Sequence, residues 1–116
     1  MQTEIYESAQ RFDLGQAALN FAAEVAGSSE RKKKSLPAPA GLQSFLLYVR
    51  KHGYVPVHTV SGPITIQNIF GRVSIATDEQ NYELEEGEVL GLAGGVPHDV
   101  SAARETVLLV THAPRD

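Results

Sequence analysis

GEVLGLAGGVPHDV, Gly87 to Val100, is the stretch on which the reading of this chain turns. Gly94, Gly95 and Pro97 lead into one histidine, His98, set just after a turn. Glycine reaches backbone conformations closed to other residues, so such a turn can present a single side chain inward. His98 therefore has two readings: a group facing a pocket, or an imidazole satisfied by backbone groups beside a tight turn. The glycines before it favour the first.

Outward from this stretch the chain is a series of short runs rich in β-branched and aromatic residues. They are LQSFLLYVRK from Leu42, PITIQNIF from Pro63, RVSIAT from Arg72, NYEL from Asn81, EVLGLA from Glu88 and TVLLVTH from Thr106. HGY, SGP, FGR, TDEQN, EEGE, AGGVP and SAARE punctuate them. Short strands with turn signals every eight to twelve residues or so predict an all-β antiparallel sandwich or barrel. In RVSIAT, Val73 and Ile75 oppose Arg72 and Ser74, and TDEQN reads as the hairpin that follows.

The first 35 residues have a different texture. Leu14, Ala17, Ala18, Phe21, Ala22 and Val25 recur at helical spacing, with Asp13 as N-cap and Gly27 as C-cap. This predicts a helix over 14–26, with an extended arm as the rival. ERKKK, residues 30–34, reads as a solvated loop, because no aromatic residue interleaves the lysines. SLPAPAG reads as a stiff connector. The organisation expected is a helix or arm over 1–35 and a barrel over 36–116.

Composition narrows the function classes. A chain of 116 residues is one domain. Its net charge of -4 argues against a nucleic-acid or anionic-membrane partner. With no cysteine there is neither a disulfide frame nor a thiolate site. The acidic start MQTEIYESAQRFD is unlike a signal peptide, and no apolar run nears the roughly 20 residues of a membrane span. A cytoplasmic protein is the expectation. Ser61 lacks the setting of a nucleophile elbow. Glu85 and Glu86 precede a turn and face water, and no helix follows AGGVP to cradle a phosphate.

GEVLGLAGGVPH resembles the second sequence motif of the cupin family, small jelly-roll barrels, with Gly87 opening it, Gly95 in the turn and His98 in the histidine place. Ala93 stands where proline is usual, and Ala102 where an asparagine often follows. The first motif would lie in HGYVPVHTVSGPITIQNIFGRVSI, ending at Gly71, and it is degraded. Of its histidine pair only His58 remains, with Val60 two residues on, and Ile64 holds the glutamate place. The resemblance covers residues 42 to 113. It implies a cupin-like jelly roll with a short N-terminal helix or arm, a homodimer, and a pocket inside the barrel.

Two functions follow from the resemblance. One is a metal-free barrel binding a small polar molecule through His58, His98 and Gln67, with Tyr48 as an aromatic wall. The other is a metal-dependent enzyme, of dioxygenase or isomerase type, with divalent iron, manganese, nickel or zinc held by His58, His98 and a third ligand such as His112. A barrel serving only as an interaction unit is a third. Gln67 shares a strand face with Thr65 and Ile69 and is expected to point inward, although Ile64, Ile66, Asn68 and Phe70 form the more apolar set. His52 reads as a loop residue. Three good ligands are needed for a catalytic metal, which tips the balance toward binding without metal.

Overall fold

The computed structural model describes residues 3–5, 9–27 and 30–115. In chain order its elements are β1 (Thr3–Ile5), β2 (Gln10–Phe12), α1 (Leu14–Val25), β3 (Arg31–Leu36), β4 (Gln43–Val49), β5 (Tyr54–His58), β6 (Ile64–Phe70), β7 (Val73–Thr77), β8 (Asn81–Leu84), β9 (Val89–Leu92), β10 (His98–Ala102) and β11 (Thr106–His112). β1 and β2 make a small ribbon; the other strands form a five-stranded sheet ordered β3-β4-β11-β6-β9 and a four-stranded sheet ordered β5-β10-β7-β8. Every pairing is antiparallel. The chain passes repeatedly from one sheet to the other, which is the jelly roll read from the sequence. No helix among the described residues is long and apolar enough to cross a membrane.

Alternation along the strands sorts the core into two layers. Facing inward are Val49, Ile64, Ile66, Leu108 and Val110 from the larger sheet, packed against Val73, Ile75, Leu84, Val100 and Ala102 from the smaller. The outer face of the larger sheet is apolar too, at Leu46, Tyr48 and Val107, and α1 covers it with Ala17, Ala18, Phe21, Ala22 and Val25. The helix starts as its sequence predicts: the Asp13 carboxylate accepts from the Gln16 N–H at 3.0 Å. Burying Phe21, which is 2% exposed, contributes about 2–3 kcal/mol of transfer free energy.

One expectation is corrected, and one strand is added. Residues 31–34 form strand rather than loop: Arg31 to Leu36 pair with Val49 to Ser44 of β4. The basic run suits this place because β3 is a sheet edge, and charged side chains keep an edge from pairing with other chains. Strand pairing on the larger sheet thus begins at Arg31, and the connector is confined to the residues after Leu36. The added strand is β5, which the runs read from the sequence omit and which Pro56 disguises. A proline cannot donate to a ladder, and β5 tolerates it because it is the edge of the smaller sheet, paired only with β10.

At the far end of the inner layer lies Asn68, fully buried. Its amide donates to the Gly71 and Leu84 carbonyls, both at 2.9 Å, and so ties the β6–β7 turn to the end of β8. Removing the amide leaves two carbonyls without a partner. Asn68→Ala is expected to lower the unfolding free energy by about 2–4 kcal/mol, whereas the exposed Asn81→Ala should stay within about 0.5 kcal/mol. Urea denaturation of the two variants measures both.

Candidate functional site: a cavity with paired histidines

A cavity of about 560 Å3 lies between the sheets. It is bounded where the edge strands β3 and β5 face each other, and the Arg31 guanidinium spans that gap to donate to the Tyr54 carbonyl at 2.8 Å. Its walls are aliphatic, from residues such as Ile64, Ile66, Val100 and Leu108, with Phe45 on one side. Against that surface stand His58 and His98.

Two crossings of the chain between the sheets place these histidines. Residues 59–63 lead from β5 to β6, and residues 93–97 lead back from β9 to β10. The crossings lie backbone to backbone. The Gly95 N–H donates to the Val60 carbonyl at 2.9 Å, and a Cβ on Gly94 would sit 2.7 Å from the Gly62 nitrogen. Gly95 itself has φ +80°, a conformation that disfavours other residues. The two adjacent glycines thus have separate causes, close approach for Gly94 and a left-handed turn for Gly95.

Beyond the crossings, His58 ends β5 and His98 begins β10, directly opposite each other in the ladder. Opposed residues on one sheet face bring their side chains together. Here the ring centroids are 4.3 Å apart with planes tilted by 57°. Each ring is also held by the backbone two residues before it: Nδ1 of His98 lies 2.9 Å from the Val96 carbonyl, and Nδ1 of His58 lies 2.9 Å from the Pro56 carbonyl. A carbonyl only accepts, so both Nδ1 atoms carry protons, and neutral rings then keep a lone pair on Nε2. Asn68 Oδ1 is the one fully buried side-chain polar atom without a partner among the described residues. The Nε2 of His98 is therefore not sealed in protein and reaches the cavity. Burial holds the His98 imidazole below the ordinary histidine value, opposed by the Val96 hydrogen bond and reinforced by the His58 ring.

The remaining site expectations sort clearly. His112 lines the cavity, but its Nε2 is 2.6 Å from the Ser61 carbonyl and its Nδ1 is 3.3 Å from the Gln43 side-chain amide. Its Nε2–H is thus spent on Ser61 rather than turned to the pair. Among the described residues no three His, Asp or Glu side chains converge to hold a metal ion. Gln67 is not on the cavity: Ile64, Ile66 and Asn68 take the inner face of β6, so Gln67 faces outward with Thr65 and Ile69. The more apolar set won the core, and the expectation for Gln67 fails. Tyr48 is no aromatic wall either. It packs on the helix side of the sheet, and its hydroxyl donates to Glu105 at 2.7 Å. Burial first and that hydrogen bond second leave its pKa pushed up to about 12. His52 lies in an exposed turn, as expected. The sequence reading missed Arg31 and Lys33, which line the cavity, because the alternation that turns them inward exists only if β3 is a strand.

No protein-family model matches this sequence, and no curated protein does. Solved structures do. A cupin superfamily protein from Desulfitobacterium hafniense superposes with a TM-score of 0.71 over 80% of this chain and 87% of its own, at 17% identity. A cupin-2 domain containing protein from Shewanella frigidimarina does so with a TM-score of 0.68 over 84% of this chain and 92% of its own, at 20% identity. The chain has the cupin fold. A salicylate 1,2-dioxygenase from Pseudaminobacter salicylatoxidans shares that fold over 89% of this chain but only 34% of its own, with a TM-score of 0.73 and 13% identity. The barrel fold is what this chain has in common with all three.

Two outcomes are expected of this geometry. Gly94→Ala drives a methyl into backbone and should cost about 1–3 kcal/mol of stability, read from urea midpoints. The second concerns pH. A folded-state pKa below the unfolded value of 6.5 means that the unfolded chain takes up a proton the fold rejects. Stability is then complete above about pH 6.5 and declines as the pH falls toward the folded value. Between about pH 7.5 and 5.5 the wild-type midpoint should fall further than that of His98→Asn. Equal slopes would show that His98 titrates alike in both states.

Proposed function

We propose that this cupin barrel binds a small polar organic molecule, held by hydrogen bonds to His58 and His98 rather than by a resident metal. The observation that carries this reading is the matched anchoring of the two rings. With each Nδ1 spent on a backbone carbonyl two residues earlier, each neutral ring keeps an Nε2 lone pair beside a largely apolar cavity, with His98 buried in its wall and His58 exposed at its rim. Such a pair accepts from a ligand hydroxyl or amide, and the aliphatic walls take the ligand's carbon body. The volume falls in the range of small-molecule pockets.

The same Nδ1 anchoring would suit metal ligands, which commonly donate their second nitrogen to a backbone carbonyl. The donor set does not fit a metal, however. Two nitrogens are available, His112 is engaged elsewhere, and Ile64 lines the wall where the cupin glutamate would stand. The dioxygenase's activity belongs to that protein, and a shared fold does not carry a reaction across.

The test is titration of the protein with neutral probes, hexane-1,6-diol and hexanamide, followed by the imidazole resonances of all four histidines. His58 and His98 should move together and saturate while His52 stays still. Affinity should drop at least about fivefold in His98→Phe, the loss of roughly one hydrogen bond. Tight stoichiometric binding of zinc or iron(II) through the pair, with neither organic probe binding, would contradict the reading.

A further inference from the structure

The cavity has an electrical asymmetry that its two histidines do not use. The chain carries 14 acidic and 10 basic residues, yet the cavity lining holds Arg31, Lys32 and Lys33 and no carboxylate. An acidic protein has gathered three of its cations at one opening. The pairing of β3 with β4 shows how they are divided. Arg31 stands opposite Val49 and Lys33 opposite Leu47, the row that belongs with the inner core. Lys34 stands opposite Leu46 on the other face and pairs with Glu24 of α1 at 3.8 Å.

The inward pair is positioned rather than splayed into solvent. The Lys33 ammonium lies 4.3 Å from the centroid of the Phe45 ring, another lining residue. The Arg31 guanidinium bridges to Tyr54 on the opposite sheet edge and keeps further donors available. Glu30 is near Arg31 at 3.8 Å, but among the described residues no carboxylate pairs with Lys32 or Lys33. Guarding the edge strand accounts for basic residues along β3. It does not account for a cation stacked on a cavity aromatic, nor for a lining cleared of acids.

Resting on the cavity reading above, we infer that the ligand is an amphipathic organic anion. Its acidic head meets Arg31 and Lys33 at the β3–β5 opening, its apolar body lies along Phe45 and the aliphatic walls, and a hydroxyl or amide donor reaches His58 and His98. Cations at the mouth recruit and orient such a molecule. The histidine pair, lining the same cavity, accepts from its far end.

The experiment compares hexanoate, hexyl phosphate, hexan-1-ol and hexylamine on the full chain by calorimetry, with the His58 and His98 resonances as a site reporter. Half-exposed ion pairs contribute up to about fivefold each, so hexanoate should bind about tenfold tighter than hexan-1-ol, and hexylamine more weakly than either. The double variant Arg31→Gln, Lys33→Gln should lose that preference while keeping its affinity for hexan-1-ol. Lys34→Gln, whose charge lies on the helix side, should keep the preference. Rising salt should weaken hexanoate and leave hexan-1-ol unchanged. Preference for hexanoate or for hexyl phosphate, either of them lost in the double variant, supports the inference and names the head group. Equal binding of hexanoate and hexan-1-ol overturns the anion assignment but leaves the cavity reading standing. If none of the four binds and neither histidine moves, both are overturned.

Discussion

The contact between the backbones of Gly62 and Gly94 is the constraint on which the site depends. These residues sit in the two chain crossings that join the larger sheet to the smaller at the cavity end. A Cβ on Gly94 would strike the Gly62 backbone, so only glycine at 94 allows the crossings to meet so closely. Once they meet, the Gly95 N–H reaches the Val60 carbonyl, and the strands on either side are brought into register. That register sets His58 opposite His98. The Ser61 carbonyl in the same crossing also captures His112, which removes the third imidazole from the pair. One backbone junction therefore decides both which two histidines pair and which is held apart from them.

Around that junction the barrel is built unevenly. The far end is plugged by Asn68, whose NH2 donates to two backbone carbonyls. The near end is walled by β-branched side chains that keep the sheets apart without filling the space between them. A helix seals the outer face of the larger sheet, so Tyr48, Leu46 and Val107 are core residues of a second layer. The inner face of the same sheet carries both core packing and the cavity lining.

Much of this was legible in the sequence. The turn glycines and His98 marked the cavity end, and Val73 and Ile75 showed their strand by simple alternation. Asp13 and the spacing from Leu14 to Val25 marked the helix. What stayed hidden did so for physical reasons. β6 has apolar residues on both faces, Ile64 and Ile66 inward and Ile69 outward, because the helix covers its back; a period of two then cannot say which face holds Gln67. β3 carries no apolar residue until Leu36, so nothing in its composition announces a strand, and its inward cations could not be seen as cavity groups. β5 was masked by Pro56, which only an edge position excuses. Each miss lies in a property of the sheet as a whole rather than of the segment.

The central claim is that His58 and His98 keep their protons on Nδ1 and turn their lone pairs to the cavity. Long-range proton–nitrogen correlation spectra of the imidazoles, recorded near pH 8, read this directly. The account predicts the Nδ1–H tautomer at His58 and His98, and the Nε2–H tautomer at His112. An Nε2–H signature at His98 would contradict it, because the ring would then offer the cavity a donor and leave the Val96 carbonyl without its proton.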